Sequence, residues 1–238
     1  EIFQNLISQL RVRQKFSGGF TVWEDSDYIS DTISIYVLQF LTDAKELGYP
    51  VPSDLFDKTI SWATGFVSKK VDSLTSAQSL AQAHYLLAKN GRVMTRELAN
   101  LVEFLDKRDP YWQERVEGAY VAATYALLQN TEKAQEIIKK YKVFDTHKRY
   151  GDYDSNTIRN ADYLYLVATH FSNIADDKHN VKVIKQLLQD IADKQYNTLS
   201  SGKTVRALNA YGRHFAKQDE NLEVKVNGNP VALSKEGN

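Results

Sequence analysis

The chain has 238 residues, of which 42% are hydrophobic and 25% are charged, and this composition is ordinary for a globular protein. Its 30 Lys and Arg residues balance its 30 Asp and Glu residues, so the formal net charge of +0 gives no general attraction to nucleic acid or to an anionic membrane. The absence of Cys excludes disulfides, thiolate nucleophiles and zinc–thiolate sites, although it does not indicate a cellular compartment.

The sequence carries no sign of a membrane-spanning or targeting segment. No apolar run approaches the roughly 20 residues that a membrane-spanning helix needs, and the N-terminal residues lack the pattern of a signal peptide. Because the first residue is Glu1 rather than Met, we expect the chain to be a piece of a longer polypeptide.

Apolar residues at helical spacing predict ten helices, separated by Gly, Pro and polar stretches. Gly18 and Gly19 end the first helix, and Gly48, followed by Pro50 and Pro52, ends the second. The predicted ranges are about 1–13, 30–47, 53–69, 75–89, a short helix from 95, 111–129, a helix from 131, 159–171, 178–194 and 203–216. The segment 142–158 is polar and is predicted to be irregular.

Polar residues at the helix starts predict N-terminal caps. Asp31, Ser53 and Thr95 are the predicted caps of the second, third and fifth helices, and Thr131 with Glu132 is predicted to open the seventh.

The even-numbered helices share a small, apolar character and each carries a tyrosine in a comparable place. These tyrosines are Tyr36, Tyr85, Tyr125, Tyr165 and Tyr211, at spacings of 49, 40, 40 and 46 residues. Repeats of this length are typical of two-helix units. Each odd-numbered helix has one apolar face and a charged face opposite to it. The alternation predicts an all-α fold with an inner and an outer layer, as a closed α/α toroid or as an open solenoid.

The C-terminal residues change to a period of two, which is typical of a strand. Leu222, Val224 and Val226 alternate with charged residues, and Asn227 with Gly228 follows, which is a strong signal for a β-hairpin. Because an isolated hairpin is marginally stable, we interpret 219–238 as the start of a following β domain and 1–218 as the helical domain.

Three blocks of residues resemble the thioester-containing domain of bacterial α2-macroglobulins. They are the loop Gly18–Trp23 (GGFTVW), the helix Thr32–Leu41 (TISIYVLQFL) and the turn Gly48–Pro52 (GYPVP). A weaker match is Ser200–Thr204 (SSGKT), ahead of Ala207 and Leu208.

This resemblance implies an α/α toroid of about six helix pairs, the terpenoid cyclase-like fold. Ten predicted helices leave one pair missing, and the missing pair belongs at the N-terminus, where the family carries its Cys-x-Glu-Gln thioester motif. The chain therefore either starts after that motif or comes from a member that lacks it. The resemblance implies a domain without enzymatic activity, in a broad-spectrum protease inhibitor that traps its targets.

The resemblance also implies the surroundings of the domain. Its partners would be the macroglobulin-type β domains of the parent chain and, through the full-length protein, target proteases. The location would be the periplasm or cell envelope, with membrane contact only through a lipid anchor on the parent. We expect no nucleic-acid partner, no cofactor, and no catalytic or metal-ligating residue in this chain.

Several residues allow a second interpretation. Gly18, Gly19, Phe20 and Trp23 could form a binding rim, but a loop locked by two aromatic plugs is the simpler interpretation. The five tyrosines could line a ligand funnel, whereas a core position repeated in each unit is more economical.

The acidic and histidine side chains also allow two interpretations. Asp25, Asp27 and Asp31 suggest calcium, but the Gly and distal Glu of an EF-hand are missing, so loop solvation with a helix cap is favoured. His84 and His170 could shuttle protons or bind metal, and core histidines are the favoured interpretation.

Two other functions stay open from the sequence. Toroids also host carbohydrate-active and isoprenoid-active enzymes, whose sites need paired carboxylates or an acidic cluster. Glu114, Glu117 and Asp162 lie on or near inner helices, so a sugar-active enzyme is one alternative. A helical-repeat interaction scaffold with open ends is the other.

Overall fold

The computed structural model describes residues 1–143, 155–175, 178–218, 224–226 and 229–231, with side chains described as far as residue 214. Ten α-helices and two strands lie within this part of the chain. The helices are α1 (Ile2–Arg13), α2 (Asp31–Glu46), α3 (Ser53–Val67), α4 (Ala77–Lys89), α5 (Thr95–Arg108), α6 (Val116–Leu127), α7 (Thr131–Ile138), α8 (Asn156–His170), α9 (Lys178–Ala192) and α10 (Thr198–Gln218). The strands are β1 (Val224–Val226) and β2 (Asn229–Val231).

The helices form two layers, as the sequence predicts. The even-numbered helices pack in the order α2, α4, α6, α8, α10, while α3, α5, α7 and α9 pack outside them. Helix α6 lies at the middle of the inner layer, and Ala119, Ala122 and Ala123 are at most 1% exposed. Such small side chains let the neighbouring helices approach its backbone closely. Side chains of α10 reach α2 and close the ring, so the predicted α/α toroid is confirmed and the open solenoid is not.

The helix starts differ from the predicted caps. The residue that caps α2 is Ser30, whose hydroxyl accepts a hydrogen bond from the backbone N–H of Ile33, so the prediction for Asp31 was wrong. Ser53 and Thr95 are each the first helical residue rather than the cap, and the cap positions are Pro52 and Met94. Thr131 opens α7 as predicted, and the cap before it is Asn130. A one-residue shift of this kind is a common error at helix ends.

Two inner helices begin earlier than predicted because local hydrogen bonds start them. The Ser155 hydroxyl accepts from the backbone N–H of Ile158, which starts α8 at Asn156. At α10, Asn197 and Ser200 bond each other's backbone N–H groups with their side chains, at 2.8 and 2.9 Å. This reciprocal arrangement is a capping box, in which Asn and Ser stand in place of the commoner residues. In contrast, α6 begins late because a 3₁₀ turn, Trp112–Glu114, precedes it.

The hairpin signal at the C-terminus agrees with the structure. Strands β1 and β2 flank Asn227 and Gly228 in the sequence and pair antiparallel, with Val224 opposite Val231. Most of the segment predicted to be irregular, 144–154, lies outside the described residues. Within the described part of the chain, no helix combines the length and the low polarity that crossing a bilayer requires.

Candidate functional site

The loop between α1 and α2 is held against α3 by its two glycines. Gly18 has a φ of +92°, and a Cβ there would lie 2.0 Å from the backbone oxygen of Lys58. A Cβ on Gly19 would lie 2.6 Å from both Ile29 and Trp62. Only glycine has both the left-handed backbone freedom and the absent side chain that this contact requires. The Gly18–Gly19 pair therefore allows the close contact that fixes the loop on the outer layer.

The two aromatic residues of this loop have different environments. Phe20 is 1% exposed, and its backbone N–H donates to the Ser34 hydroxyl at 2.8 Å, which ties the loop to α2. Trp23 is 74% exposed, so the expectation that it plugs the loop was wrong. Its backbone oxygen accepts from the Thr21 hydroxyl at 2.7 Å, so its main chain is fixed while the indole faces solvent. Trp23 is available for contact with another surface.

The acidic residues of this loop do not converge. Asp27 is exposed and lies 3.9 Å from Lys15, and Asp31 is also exposed, in the first turn of α2. Partial desolvation raises the pKa of the Asp31 carboxyl, and the nearby Lys69 partly offsets this. Among the residues that the structure describes, no group of three or more His, Asp or Glu side chains is arranged to hold a metal ion.

Three of the five repeated tyrosines face the same region, and two do not. Tyr36, Tyr85 and Tyr165 lie around the guanidinium of Arg206, close enough for its charge to affect the pKa of Tyr36 and Tyr85. Tyr125 instead lies under the ammonium of Lys133 from α7, 4.5 Å from the ring centre. The Tyr211 hydroxyl donates to the backbone oxygen of Ala175 at 3.3 Å. The repeat in the sequence thus does not produce a single ring of tyrosines.

A polar cluster joins the last inner helix to the first. We call it the Arg206 cluster; its members are Asp43 and Glu46 of α2, Lys89 of α4, Tyr165 of α8 and Arg206 of α10. Arg206 donates to both Asp43 oxygens at 2.6 and 3.0 Å and stacks 3.2 Å from the centre of the Tyr165 ring. Lys89 donates to the Tyr165 hydroxyl at 2.8 Å and pairs with Glu46 at 2.7 Å. Every charge in the cluster has an opposite partner, which is what burial of charge requires.

A second buried ion pair links α8 and α10. Lys203 donates to both oxygens of Asp162 at 2.7 Å, and the two side chains are 6% and 2% exposed. Tyr120 of α6 is fully buried nearby, and burial, reinforced by the Asp162 charge, raises the pKa of its hydroxyl well above the ordinary value. The hydroxyl therefore stays protonated beside the carboxylate.

The two inner-helix histidines do not act on a common site. The Tyr85 hydroxyl lies 2.9 Å from Nε2 of His170, and the two rings meet edge to face. His84 lies on the other side of α4, where Glu97 of α5 is its charged neighbour. Burial lowers the pKa of each imidazole to about 4, so both are neutral at physiological pH. His84 is thus a neutral imidazole buried in the core, and His170 is a neutral imidazole with the Tyr85 hydroxyl as its partner.

Two of the three carboxylates that could belong to an enzyme site are paired with lysines. Asp162 is paired with Lys203, and Glu114 is paired with Lys142 at 2.7 Å. Glu117 is buried on α6 among the alanines of the inner layer. A glycosidase needs two carboxyl groups facing one substrate bond. Asp162 and Glu114 are instead each held by the ammonium of a lysine.

Comparisons with known proteins find similarity to one group of proteins. No family model matches the chain. An α2-macroglobulin of Rickettsia conorii is 29% identical over 246 residues, which is 99% of this chain and 13% of that protein. An α2-macroglobulin homologue of Yersinia pestis is 26% identical over 92% of this chain and 11% of its own length. The chain is similar to one part of these bacterial α2-macroglobulins.

Solved structures of α2-macroglobulins share this fold. Native α2-macroglobulin from Escherichia coli, spanning domain MG7 to the C-terminus, superposes with a TM-score of 0.69 and 19% identity, over 90% of this chain and 34% of that one. Salmonella α2-macroglobulin reacted with methylamine superposes with a TM-score of 0.68 and 17% identity, over 87% of this chain and 14% of that one. The chain thus spans about an eighth of the length of the curated α2-macroglobulins that it matches.

The charged members of these clusters were not identified from the sequence as partners. Asp43, Lys89, Lys203 and Arg206 read as ordinary polar positions on helices, and Asp162 was noted only as an acid near the inner layer. The available signal was that each lies on a predicted inner helix, where an unpaired buried charge is costly. That signal predicts that each charge has an oppositely charged partner, but it does not indicate which residue the partner is.

Proposed function

We propose that this chain is the helical toroid domain of a bacterial α2-macroglobulin-like protein that inhibits a broad range of proteases by trapping them. The observation that carries the proposal is the similarity to the Rickettsia α2-macroglobulin along 99% of the chain. Asp162 is paired with Lys203, Asp43 is paired with Arg206, and His170 is a neutral imidazole beside the Tyr85 hydroxyl, which supports a role in packing and docking rather than in catalysis.

The proposed role does not include covalent capture through this chain. A thioester forms between a Cys thiol and a Gln side chain, and the chain has no Cys. The domain would instead contribute surfaces to the macroglobulin-type β domains of the longer polypeptide. The loop with exposed Trp23 is one such surface, because its backbone is held rigidly by Gly18, Gly19 and Phe20. Rigidly presented tryptophans are common at interface hot spots. We place the protein in the periplasm or cell envelope, as the family resemblance implies.

The test is a trapping assay on the full polypeptide as encoded. It is mixed with trypsin, and residual activity is measured on a large protein substrate and on a small peptide substrate. Trapping predicts that cleavage of the large substrate falls while cleavage of the small one persists, because an enclosed protease still admits peptides. Unchanged cleavage of both substrates, or equal loss of both, would contradict the proposal.

A denaturing gel of the same mixture tests whether trypsin becomes covalently attached to this chain. We expect no adduct between trypsin and the peptides of this chain that survives denaturation. A covalent link mapped by mass spectrometry to residues 1–238 would show that the domain captures its target directly.

A further inference from the structure

A groove runs between two helices of the outer layer, α3 and α5, which both pack on α4. We call it the α3–α5 groove; it has a volume of about 670 Å³. One wall is the flank of α5 from Arg96 to Arg108, and the other is the end of α3 with the residues that follow it, 67–72. The α5 wall is about 18 Å long at 1.5 Å per residue. An extended peptide of about five or six residues has the same length.

The lining of this groove carries more basic than acidic side chains. Its cations are Lys69, Lys70, Arg96, Lys107 and Arg108, and its acids are Asp72, Glu97 and Glu103. Two of the acids are neutralised on α5 itself. Arg96 lies 2.8 Å from Glu97, and Lys107 lies 2.5 Å from Glu103 one turn away. These two pairs therefore add no net charge to the groove.

The other three cations of the lining have no close acidic partner. Lys69, Lys70 and Arg108 are exposed, and among the described residues no carboxylate oxygen lies within 4.0 Å of their side-chain nitrogens. They lie at the C-terminal ends of α3 and α5, and each helix end carries only about half a negative charge. Asp72 supplies one further negative charge. The groove thus keeps roughly one positive charge that the domain does not compensate.

The floor of the groove is apolar. Val67 is 3% exposed, and Val71 and Phe104 are partly exposed. The side chains of an extended peptide alternate between two sides, so one set can cover this floor while the other set reaches the cations at the rim. The closely spaced phosphates of a nucleic acid would leave the floor uncovered and would meet the carboxylates of Glu97 and Glu103. The chemistry of the groove therefore favours a peptide with both acidic and apolar side chains.

We propose that the α3–α5 groove binds an extended, acidic segment of the longer polypeptide, about five or six residues long. Apolar side chains of the segment cover the floor, and its carboxylates pair with the three cations at the rim. Clustered cations recognise acidic motifs in this way in other proteins. The proposal rests on the proposed function only in taking the chain as one domain of a longer polypeptide.

The length of the relatives favours this source for the segment. The chain covers 13% of the Rickettsia α2-macroglobulin, so most of that relative lies outside the matched region. A segment of the same polypeptide is tethered near the groove and binds it at a high effective concentration. A short, weakly charged contact is then sufficient for binding, whereas a free peptide would need a larger interface.

The lack of Cys in the chain allows a direct test by thiol labelling. Asn100→Cys places a thiol in the groove, and Ala99→Cys places one on the preceding residue of α5, which lies outside the lining. Both native side chains are exposed, so neither substitution disturbs the core. Each variant is reacted with a maleimide, as the 238-residue chain and within the full polypeptide as encoded. Peptide mass spectrometry follows the modification of each site.

In the full polypeptide at low salt, the Asn100→Cys thiol should react roughly tenfold or more slowly, relative to Ala99→Cys, than in the 238-residue chain, because the bound segment covers it. At about 1 M NaCl this protection should fall several-fold, since charges are then screened within about 3 Å. Equal relative rates in the two forms would overturn the proposal. Protection that salt does not weaken would also overturn it, because the occupant would not be held by charge.

Two pairs of lysine substitutions test the role of charge in the full polypeptide that carries Asn100→Cys. Lys69→Gln with Lys70→Gln should reduce the protection of the thiol several-fold. Lys182→Gln with Lys185→Gln is the matched control, because it removes two exposed lysines of α9 that lie outside the groove. The control should leave the protection unchanged. Indistinguishable protection in the two variants would contradict the proposed ion pairs.

A photo-crosslinking residue at position 100 identifies the occupant. The proposal expects a crosslink to a segment of the same polypeptide in which acidic residues outnumber basic ones. A crosslink to a basic segment, or to a second copy of the polypeptide, would refute it. None of these readouts depends on protease inhibition, so failure of the groove proposal and failure of the trapping proposal are distinguishable.

Discussion

Arg206 and Asp43 lie 163 residues apart in the sequence and form a two-point ion pair, with nitrogen–oxygen distances of 2.6 and 3.0 Å. The pair joins the last inner helix to the first. The Arg206 side chain is 16% exposed and that of Asp43 is 25% exposed, so solvent screens the ion pair only in part. The guanidinium also stacks on Tyr165 of α8, and this contact fixes its plane. Closure of the ring thus depends on a small number of long-range polar contacts rather than on the close helix packing seen elsewhere in the inner layer.

Replacing Arg206 should therefore destabilise the fold markedly. Arg206→Ala leaves Asp43 half-buried beside Lys89 and removes the stacking on Tyr165. We expect a loss of about 2 to 4 kcal/mol in the free energy of unfolding, as for other ion pairs broken by removal of one partner. Urea denaturation followed by circular dichroism measures it.

Arg11 provides a matched control for this experiment. It makes a two-point pair with Asp54 of nearly the same geometry, at 2.6 and 2.8 Å, but the two side chains are 46% and 57% exposed. Because solvent and salt screen an exposed pair, Arg11→Ala should shift the urea midpoint little. Equal effects of Arg11→Ala and Arg206→Ala would show that burial does not distinguish the two pairs.

The buried pair of Lys203 and Asp162 should show strong coupling. Removing either partner alone leaves the other charge buried, and we expect Lys203→Met or Asp162→Asn to cost about 3 to 5 kcal/mol. The double variant should cost less than the sum of the two, because no unpaired charge remains. A double-mutant cycle by urea denaturation measures the coupling, and additive losses would contradict it.

Glycine at position 18 should be essential to the loop, whereas glycine at position 65 should not. Gly18→Ala combines a φ of +92° with a Cβ 2.0 Å from a backbone oxygen, and we expect it to cost at least about 2 kcal/mol. Gly65 lies inside α3 with nothing within 4 Å of an added Cβ, so Gly65→Ala should stabilise the helix by roughly 0.5 to 1 kcal/mol. Thermal unfolding of both variants tests the contrast.

The fold was predictable because its signals are local. Helical periodicity, glycine stops and the alternation of small and amphipathic helices depend on residues within a few turns of one another. The same local patterns do not determine which part of the neighbouring structure a given side chain contacts. Tyr85 and Tyr165 face the Arg206 cluster, while Tyr125 and Tyr211, at equivalent repeat positions, contact Lys133 and Ala175.

The polar clusters were not predictable for a different reason. The pairing of Arg206 with Asp43 depends on how far the ring curves over five inner helices, and no local pattern encodes that distance. Trp23 illustrates the same limit. Its motif, Gly-Gly-Phe-x-x-Trp, predicts a fixed loop, but whether the indole packs inward depends on the neighbouring surface, and here it is 74% exposed. Long-range geometry decides both cases.

Stability should fall as the pH is lowered from about 6.5 toward 4. Burial lowers the pKa of His84 and His170 to about 4 in the folded state, against an ordinary value of 6.5. Between these values the unfolded chain binds more protons than the folded chain, so the free energy of unfolding rises with pH. Each histidine should contribute a slope of up to about 1.4 kcal/mol per pH unit in this window.

The variant His84→Gln with His170→Gln isolates this contribution. Its absolute stability will differ from that of the natural chain, so the informative quantity is the slope of the unfolding free energy between pH 6.5 and 4.5, measured in urea. The slope should be clearly smaller in the variant. The hydrogen bond from Arg11 lowers the pKa of the Asp54 carboxyl to about 2. This group does not interfere, because its contribution to the free energy of unfolding is lost only as the pH falls below about 4. Equal slopes in the two proteins would mean that the imidazoles gain protons in the folded state without penalty, and hence that water reaches them in the inner layer.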